Sequence, residues 1–108
     1  MSKVELLRGT FDMLVLRVLS TGPMHGWGIA RRIQSLSSDL LQIEEGTIYP
    51  ALYRMENKGW IKAKWSQSEN NRRAKFYELT KAGLKQLESE SRDWGRICAI
   101  IASVMQSS

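Results

Sequence analysis

The spacing of apolar residues changes twice along this chain, and these changes restrict the fold more than any other feature. From Phe11 to Met55 apolar residues recur every three or four positions, the spacing of helices that bury one face. After Gly59 they alternate with polar residues, as in a half-buried strand. Beyond Thr80 the three-and-four spacing returns. The pattern predicts three helices, a β-hairpin and a long final helix.

Three amphipathic helices are predicted in the first half of the chain. Their apolar stripes are Phe11, Leu14, Val15, Val18 and Leu19, then Ile29, Ile33 and Leu36, then Ile48, Leu52 and Met55. Pro50 leaves the start of the third helix open, because proline is favoured only in a first helical turn. That helix starts either near Thr47, or at Glu44 or Glu45 with a bend at Pro50.

The second half is predicted to form a hairpin and one long helix. The strands are marked by Ile61, Ala63 and Trp65 and by Lys75, Tyr77 and Leu79, with a polar loop between them. Thr80 is a good N-cap for the final helix. That helix carries an apolar seam with heptad spacing, made of Leu84, Leu87, Ser91, Trp94, Cys98, Ile101 and Met105.

Three helices followed by a hairpin is the winged helix-turn-helix arrangement. The expected fold class is therefore mainly α with a small β-hairpin, a winged helix-turn-helix plus a C-terminal dimerisation helix. Residues 1–79 are expected to form the DNA-binding domain and residues 80–108 the dimerisation helix, together one compact unit. In this arrangement the third helix faces a DNA major groove and the hairpin lies against the flanking backbone.

The net charge of +5 is concentrated in one part of the chain. Between Arg54 and Lys81 there are eight basic and three acidic residues, whereas bases and acids balance elsewhere. Such a cluster is either an ordinary solvated face or a surface for a polyanion. Its position on the third helix and the hairpin favours double-stranded DNA as the partner.

Composition and motifs argue against several other classes of protein. One cysteine and one histidine can neither form an internal disulfide nor complete a Cys/His zinc site, and we expect no cofactor. The longest uncharged stretch has 13 residues, too short for a membrane span, and no signal peptide is recognisable. Neither a glycine-rich phosphate loop nor a Ser/His/Asp constellation is present. We therefore expect a cytoplasmic protein that is not an enzyme and has no membrane partner.

Several stretches of sequence are more specific than periodicity alone. They are Leu7–Thr10, Gly22–Ile29, Glu45–Leu52, Leu79–Gly83 and the wing segment Ser68–Tyr77. Over about Leu6 to Trp94 the chain resembles the PadR family of bacterial transcriptional regulators, in particular a short subgroup of the acidobacterial type with a single C-terminal helix. Trp27, where tyrosine is usual, and Glu44, where a small hydroxyl residue commonly caps the third helix, depart from the family pattern. The resemblance implies a winged-helix homodimer that binds operator DNA, usually as a repressor, and in many members responds to a small molecule.

Candidate DNA contacts lie on the third helix and on the hairpin. Outside the apolar stripe of the helix they are Thr47, Tyr49, Pro50 and Arg54, where a tyrosine hydroxyl can donate to phosphate and a ring can contact a thymine methyl. The alternatives make Thr47 a helix cap and Tyr53 a core residue. On the hairpin the candidates are Lys64, Asn70, Asn71, Arg72, Arg73 and Lys75, since amides and cations bind phosphate and arginine enters narrow minor grooves. Lys64 and Lys75 are expected on one positive surface; the alternative is an ordinary soluble hairpin.

The final helix is the candidate dimerisation element. A helix of about 25 residues is about 37 Å long, comparable with a whole small domain, so its distal part is expected to pair with a second copy. The candidate contacts are Leu87, Trp94, Cys98, Ile101 and Met105; the alternative is that the seam packs on its own domain. Trp94 is also the candidate contact for a small aromatic effector, against a purely structural role, and Cys98 is expected to be a small buried hydrophobe.

Taken together, these patterns predict a sequence-specific DNA-binding regulator. From the family resemblance it is expected to be a homodimeric repressor of an inverted-repeat operator, relieved by a small-molecule effector. Two alternatives remain open: a winged helix that binds another protein, and an architectural DNA binder without an operator.

Overall fold

The computed structural model describes residues 10–67 and 72–107. In chain order the elements are α1 (Phe11–Leu19), β1 (Met24–His25), α2 (Gly26–Leu36), α3 (Glu45–Asn57), β2 (Ile61–Gln67), β3 (Arg73–Leu79) and α4 (Lys81–Gln106). The expected fold class is confirmed: the described chain is mainly helical, with a hairpin between the third helix and a long final one.

The sheet has one strand more than the sequence predicts. β2 and β3 form the expected antiparallel hairpin, and β1 adds to the other side of β3, so the strand order is β1-β3-β2. In that pairing Met24 lies opposite Tyr77 and His25 opposite Phe76. Because β1 has only two residues, it leaves no periodicity in the sequence. It fastens the connection between α1 and α2 to the hairpin.

The start of α3 is settled in favour of the earlier of the two alternatives. The helix begins at Glu45 and contains Pro50, while Glu44 occupies the N-cap with extended backbone and without a capping side-chain hydrogen bond. Thr47 is therefore a residue of the first turn and does not cap the helix. Proline has no N–H, so the carbonyl of Gly46 lacks its usual partner four residues on.

The core is built from the apolar stripes of the three short helices and is closed by the sheet and α4. Its fully buried members include Val15, Leu16, Ile29, Ile48, Leu52 and Met55, with Ile61, Tyr77 and Leu87 added from the later elements. Leu36, predicted to point inward, is instead exposed. It is the last residue of α2, and the chain turns away directly afterwards through Ser38 and Asp39, both with positive φ.

α4 leaves the domain beyond Glu90. Thr80 is confirmed as its N-cap, since the Thr80 hydroxyl oxygen accepts a hydrogen bond from the Gly83 N–H at 3.0 Å. Gly83 and Leu87 are buried, whereas the side chains from residue 91 onward are exposed in the single chain. With 26 residues the helix is about 39 Å long. No helix in the described part of the chain is both long and apolar enough to span a membrane.

Candidate nucleic-acid interface

One face of α3 is turned entirely to solvent. Gly46, Pro50, Tyr53 and Asn57 are four, three and four residues apart, which places them along one line of the helix, opposite the buried stripe. All four are exposed, and Tyr53 at 68% is among the most exposed large side chains. We call these four residues the α3 line. Tyr53 is thus a surface residue, and its position outside the apolar stripe could already have identified it.

Tyr49 lies at one edge of the α3 line and is held there by α2. Its side chain is 42% exposed. A β-carbon placed on Gly26, the first residue of α2, would lie 2.6 Å from Cε1 of Tyr49, so the ring rests directly on the Gly26 backbone. Because one edge of the ring packs against α2, Tyr49 is held in a fixed position near the start of α3, and the rest of the ring is exposed.

Arg54 lies at the other edge and is bound to α1. Its Nη2 donates to Oδ1 of Asp12 at 2.7 Å and its Nη1 donates to Oδ2, a bidentate ion pair. The hydrogen bonds that Arg54 donates to Asp12 are the main reason that the pKa of Arg54 is raised, although partial burial opposes them. A guanidinium has five N–H donors, so three remain for another partner. The candidate DNA contact is therefore also an anchor between α1 and α3.

The strand register sorts the hairpin side chains onto two faces. Trp65 pairs with Lys75, whereas Lys64 pairs with Phe76. Cross-strand partners share a face, and neighbours along a strand point to opposite faces. Lys64 and Lys75 therefore lie on opposite faces, which corrects the expectation that they extend one positive surface.

The face that carries Lys75 is turned toward α3. Nζ of Lys75 lies 3.5 Å from Oε1 of Glu56, a residue of α3. Farther along the same face the guanidinium of Arg73 lies 5.4 Å from the ring centre of Trp65, within the range of a cation–π contact. Trp65 is 56% exposed, so its side chain is less buried than the alternating pattern of this strand predicts. This face thus presents an aromatic ring with an arginine beside it.

Only part of the positive charge in the segment from Arg54 to Lys81 is free of acidic partners. Arg54, Lys75 and Lys62, the last 3.0 Å from Glu78, are paired with carboxylates. Among residues 10–67 and 72–107, no carboxylate lies within 4.0 Å of the other bases of the segment, which are Lys58, Lys64, Arg72, Arg73 and Lys81. Arg72 and Arg73 are exposed on the hairpin. The candidates Asn70 and Asn71 lie outside the described residues.

The seam on α4 passes from the interior of the domain to its outside. Leu87 is only 6% exposed and packs in the core, which leaves little of its side chain for a partner. Trp94, Cys98, Ile101 and Met105 are exposed in the single chain, Cys98 against expectation. Ile97, Ile100 and Val104 widen this apolar face. The heptad pattern did not predict them as contacts because they lie beside the seam.

Comparison with known proteins gives consistent matches. Residues 15–89 match the sequence profile of the transcriptional regulator PadR-like family. The structure is similar to that of a PadR-like transcriptional regulator from Bacillus cereus, with a TM-score of 0.84 and 25% identity over 96% of this chain and 99% of that one. It is also similar to a PadR family transcription regulator from Clostridium difficile, with a TM-score of 0.79 and 33% identity over 90% and 99% of the two chains. An uncharacterised protein X of Lysinibacillus sphaericus is 26% identical over 106 residues, 98% of this chain and 97% of its own.

Proposed function

This chain belongs to the PadR-like family of transcriptional regulators, DNA-binding proteins that are not enzymes, and from that premise we propose that it is a homodimeric repressor of an inverted-repeat operator. The observation that carries the proposal is the arrangement of the exposed α3 line beside a hairpin whose Arg72 and Arg73 have no carboxylate partner in the described part of the chain. Duplex recognition needs two parts: an exposed helix face that contacts the bases, and cations that contact the phosphates.

In the proposed complex α3 lies in the major groove. Thr47, Tyr49 and Pro50 are near its N-terminal end, the part that approaches base edges in helix-turn-helix proteins. Arg54 contacts phosphate through N–H groups that Asp12 does not use. The bond to Asp12 supports this role, because it removes much of the rotamer freedom that a free arginine loses on binding.

The hairpin is proposed to contact the DNA backbone beside the major groove. Its proposed contacts are Lys64, Asn70, Asn71, Arg72, Arg73 and Lys75. Since Lys64 and Lys75 are on opposite faces, one duplex reaches both only by contacting both sides of the hairpin. Arg72 and Arg73 carry the largest share. Their charge is not offset by a carboxylate among the described residues, as that of Lys75 is by Glu56, and each offers five N–H donors where Lys64 offers three.

The distal half of α4 is proposed to pair with the same helix of a second copy. Trp94, Cys98, Ile101 and Met105 form the interface, with Leu87 at its inner end. Exposed apolar side chains in a row along a helix are costly in water and are typical of a surface that a partner covers. A two-fold pair would place two copies of α3 about 34 Å apart, one turn of DNA.

Control by a small aromatic effector is a finer part of the proposal. Trp94 is half-exposed at the inner end of the exposed seam, where a flat ligand could stack on its ring and shift the angle between the two protomers. If an effector acts there, its addition should weaken operator binding by the wild type and should leave operator binding by the Trp94→Leu variant unchanged. The protein is proposed to act in the cytoplasm, where the operator is.

The salt dependence of duplex binding tests the proposed function. If each protomer of a dimer neutralises about four phosphates, a plot of log K against log salt concentration, measured by fluorescence anisotropy, has a slope of about −7. Arg72→Ala with Arg73→Ala should weaken all duplexes similarly and make the slope shallower by about 3 to 4. Arg96→Ala, an exposed arginine on the distal part of α4, is the matched control and should leave the slope unchanged.

The outcomes of this experiment also separate the alternatives. A wild-type slope shallower than about −2 contradicts the proposed role of the hairpin. Absence of binding to any duplex favours a winged helix that binds protein. Binding with equal affinity to every sequence favours an architectural protein without an operator.

A further inference from the structure

The centre of the exposed face of α3 carries no charged side chain. The α3 line consists of a glycine, a proline, a tyrosine and an asparagine. The nearest arginine, Arg54, is drawn to the edge of the helix by its two hydrogen bonds to Asp12. Guanine is most often read by an arginine or lysine that bonds its O6 and N7 together. The middle of this helix has no such group.

What the middle of the helix does present is apolar surface. The ring of Tyr53 is largely exposed, and its hydroxyl has no hydrogen bond among the described residues. Pro50 lies three residues earlier on the same line and adds a second exposed apolar ring. In the major groove the apolar feature of DNA is the 5-methyl group of thymine, which no other base carries there.

Gly46 indicates that this face approaches its partner closely. A β-carbon placed on Gly46 would have no atom within 4 Å, so packing inside the protomer does not require glycine at this position. Glycine in a helix is nevertheless unfavourable relative to alanine. Its presence on the same line as Pro50 and Tyr53 is explained if DNA occupies the space that a side chain would fill.

We infer that Tyr53, supported by Pro50, reads thymine methyl groups in the major groove and is a specificity-determining residue of this protein. Each operator half-site then has at least one thymine beneath the middle of α3, and no arginine-read guanine at that position. The inference rests on the proposed function and goes beyond it by naming the chemical feature of the base that is recognised.

Deoxyuridine substitution tests this inference, because it removes the thymine methyl group and leaves base pairing intact. The probe is a duplex selected from a random pool by the wild-type protein, with each thymine replaced in turn. At one or two positions in each half-site the affinity of the wild type should fall about fourfold, the effect of withdrawing one buried methyl group from contact. In Tyr53→Ala the same substitutions should have no effect.

Two variants make the test specific. Tyr53→Phe keeps the ring without the hydroxyl and should keep the full sensitivity to deoxyuridine, which assigns the reading to the apolar ring. Tyr53→Ala should unfold at the wild-type temperature, because the side chain is exposed. The inference is overturned if the wild type binds every deoxyuridine duplex as tightly as its thymine parent, or if the sensitivity persists in Tyr53→Ala. Both results leave the proposed function standing, whereas a wild type that binds no duplex overturns both.

Discussion

The ring of Tyr49 on α3 rests on the backbone of Gly26, the residue at which α2 begins. A β-carbon on Gly26 would lie 2.6 Å from Cε1 of Tyr49, which is too short for any contact, and 3.1 Å from Cδ1 of Leu52, which is tighter than an ordinary contact. The two helices of the helix-turn-helix therefore meet at a point where any side chain larger than that of glycine would displace the ring of Tyr49. The same contact holds a candidate DNA-binding side chain in place.

Gly26→Ala should accordingly disturb both stability and DNA binding. The added methyl group pushes the Tyr49 ring away, and overpacking of this kind costs about 1–3 kcal/mol. Because the closest atoms belong to side chains that can move, we expect the lower end of that range. Thermal unfolding measures the first effect and duplex affinity the second. A variant with unchanged affinity would show that the position of Tyr49 is irrelevant to DNA.

Gly46→Ala should separate stability from binding. The new β-carbon enters open space, so the helix should gain from the better propensity of alanine, by less than the about 1 kcal/mol of a helix interior because Gly46 is the second residue of α3. The affinity for the selected duplex should nevertheless fall, because the methyl group occupies the space proposed for DNA. A more stable variant with wild-type affinity would mean that this face of α3 does not approach a duplex closely.

Gly83 and Gly95, two glycines on α4, should respond in opposite directions to substitution by alanine. A β-carbon on Gly83 would lie 2.0 Å from the carbonyl oxygen of Trp60, a backbone atom that cannot swing away, so Gly83→Ala should destabilise the fold by about 2–3 kcal/mol or more. A β-carbon on Gly95 would meet nothing within 4 Å, and Gly95→Ala should raise stability by up to about 1 kcal/mol. Denaturation by urea measures both, and equal effects would contradict the packing of α4 on the hairpin.

Glu90 should make stability depend on pH. Partial burial is the main cause that raises the pKa of Glu90. The charges of Asp12 and Asp93 add to it, whereas a hydrogen bond with Gln86 and the charge of Lys58 oppose it without reversing the direction. The Oε2 atom of Glu90 is buried without a hydrogen-bond partner among the described residues. A carboxyl whose pKa is higher in the folded state binds its proton more tightly there. Its contribution to stability is therefore lost as pH rises from the ordinary value of 4.5 through the raised pKa.

Glu90→Gln should remove this loss and raise the unfolding temperature at neutral pH. The gain in free energy should be small, because the side chain is only partly buried and solvent screens its charge. Glu88→Gln, two residues earlier and exposed, is the control and should leave the pH profile of the unfolding temperature unchanged. If Glu90→Gln is less stable than the wild type at neutral pH, the carboxylate has a favourable partner and the expected sign is wrong.

Features that depend on neighbours in the sequence could be predicted from it. The stripe of Ile48, Leu52 and Met55 placed α3, and the hydroxyl of Thr80 marked the start of α4, because each signal lies within a few residues of the structure it creates. Pro50 was ambiguous, since proline beyond the first turn removes a helix hydrogen bond, and the sequence does not show whether the burial of Ile48 and Leu52 outweighs that loss. The two-residue strand β1 was missed because its pairing with β3 joins residues more than fifty positions apart.

The candidate site was predictable in its location and less so in its geometry. Alternation along each strand is visible in the sequence. Which residue of β3 pairs with Lys64 depends on the length of the loop between the strands, and in the structure that residue is Phe76 and not Lys75. Likewise nothing near Arg54 in sequence shows that Asp12, 42 residues away, binds it. Tyr53 was left as a surface or core residue although it lies outside the apolar stripe, and the packing of α3 places it in solvent.

Selection of bound duplexes from a random pool, followed by footprinting of the winners, tests the central claim most directly. A homodimer that reads DNA with two copies of α3 should enrich an inverted repeat whose half-site centres are about 34 Å apart, one helical turn, or a whole multiple of it. A pool with no enriched sequence, or a single half-site protected by a monomer, would contradict the account of this protein as a dimeric operator-binding regulator.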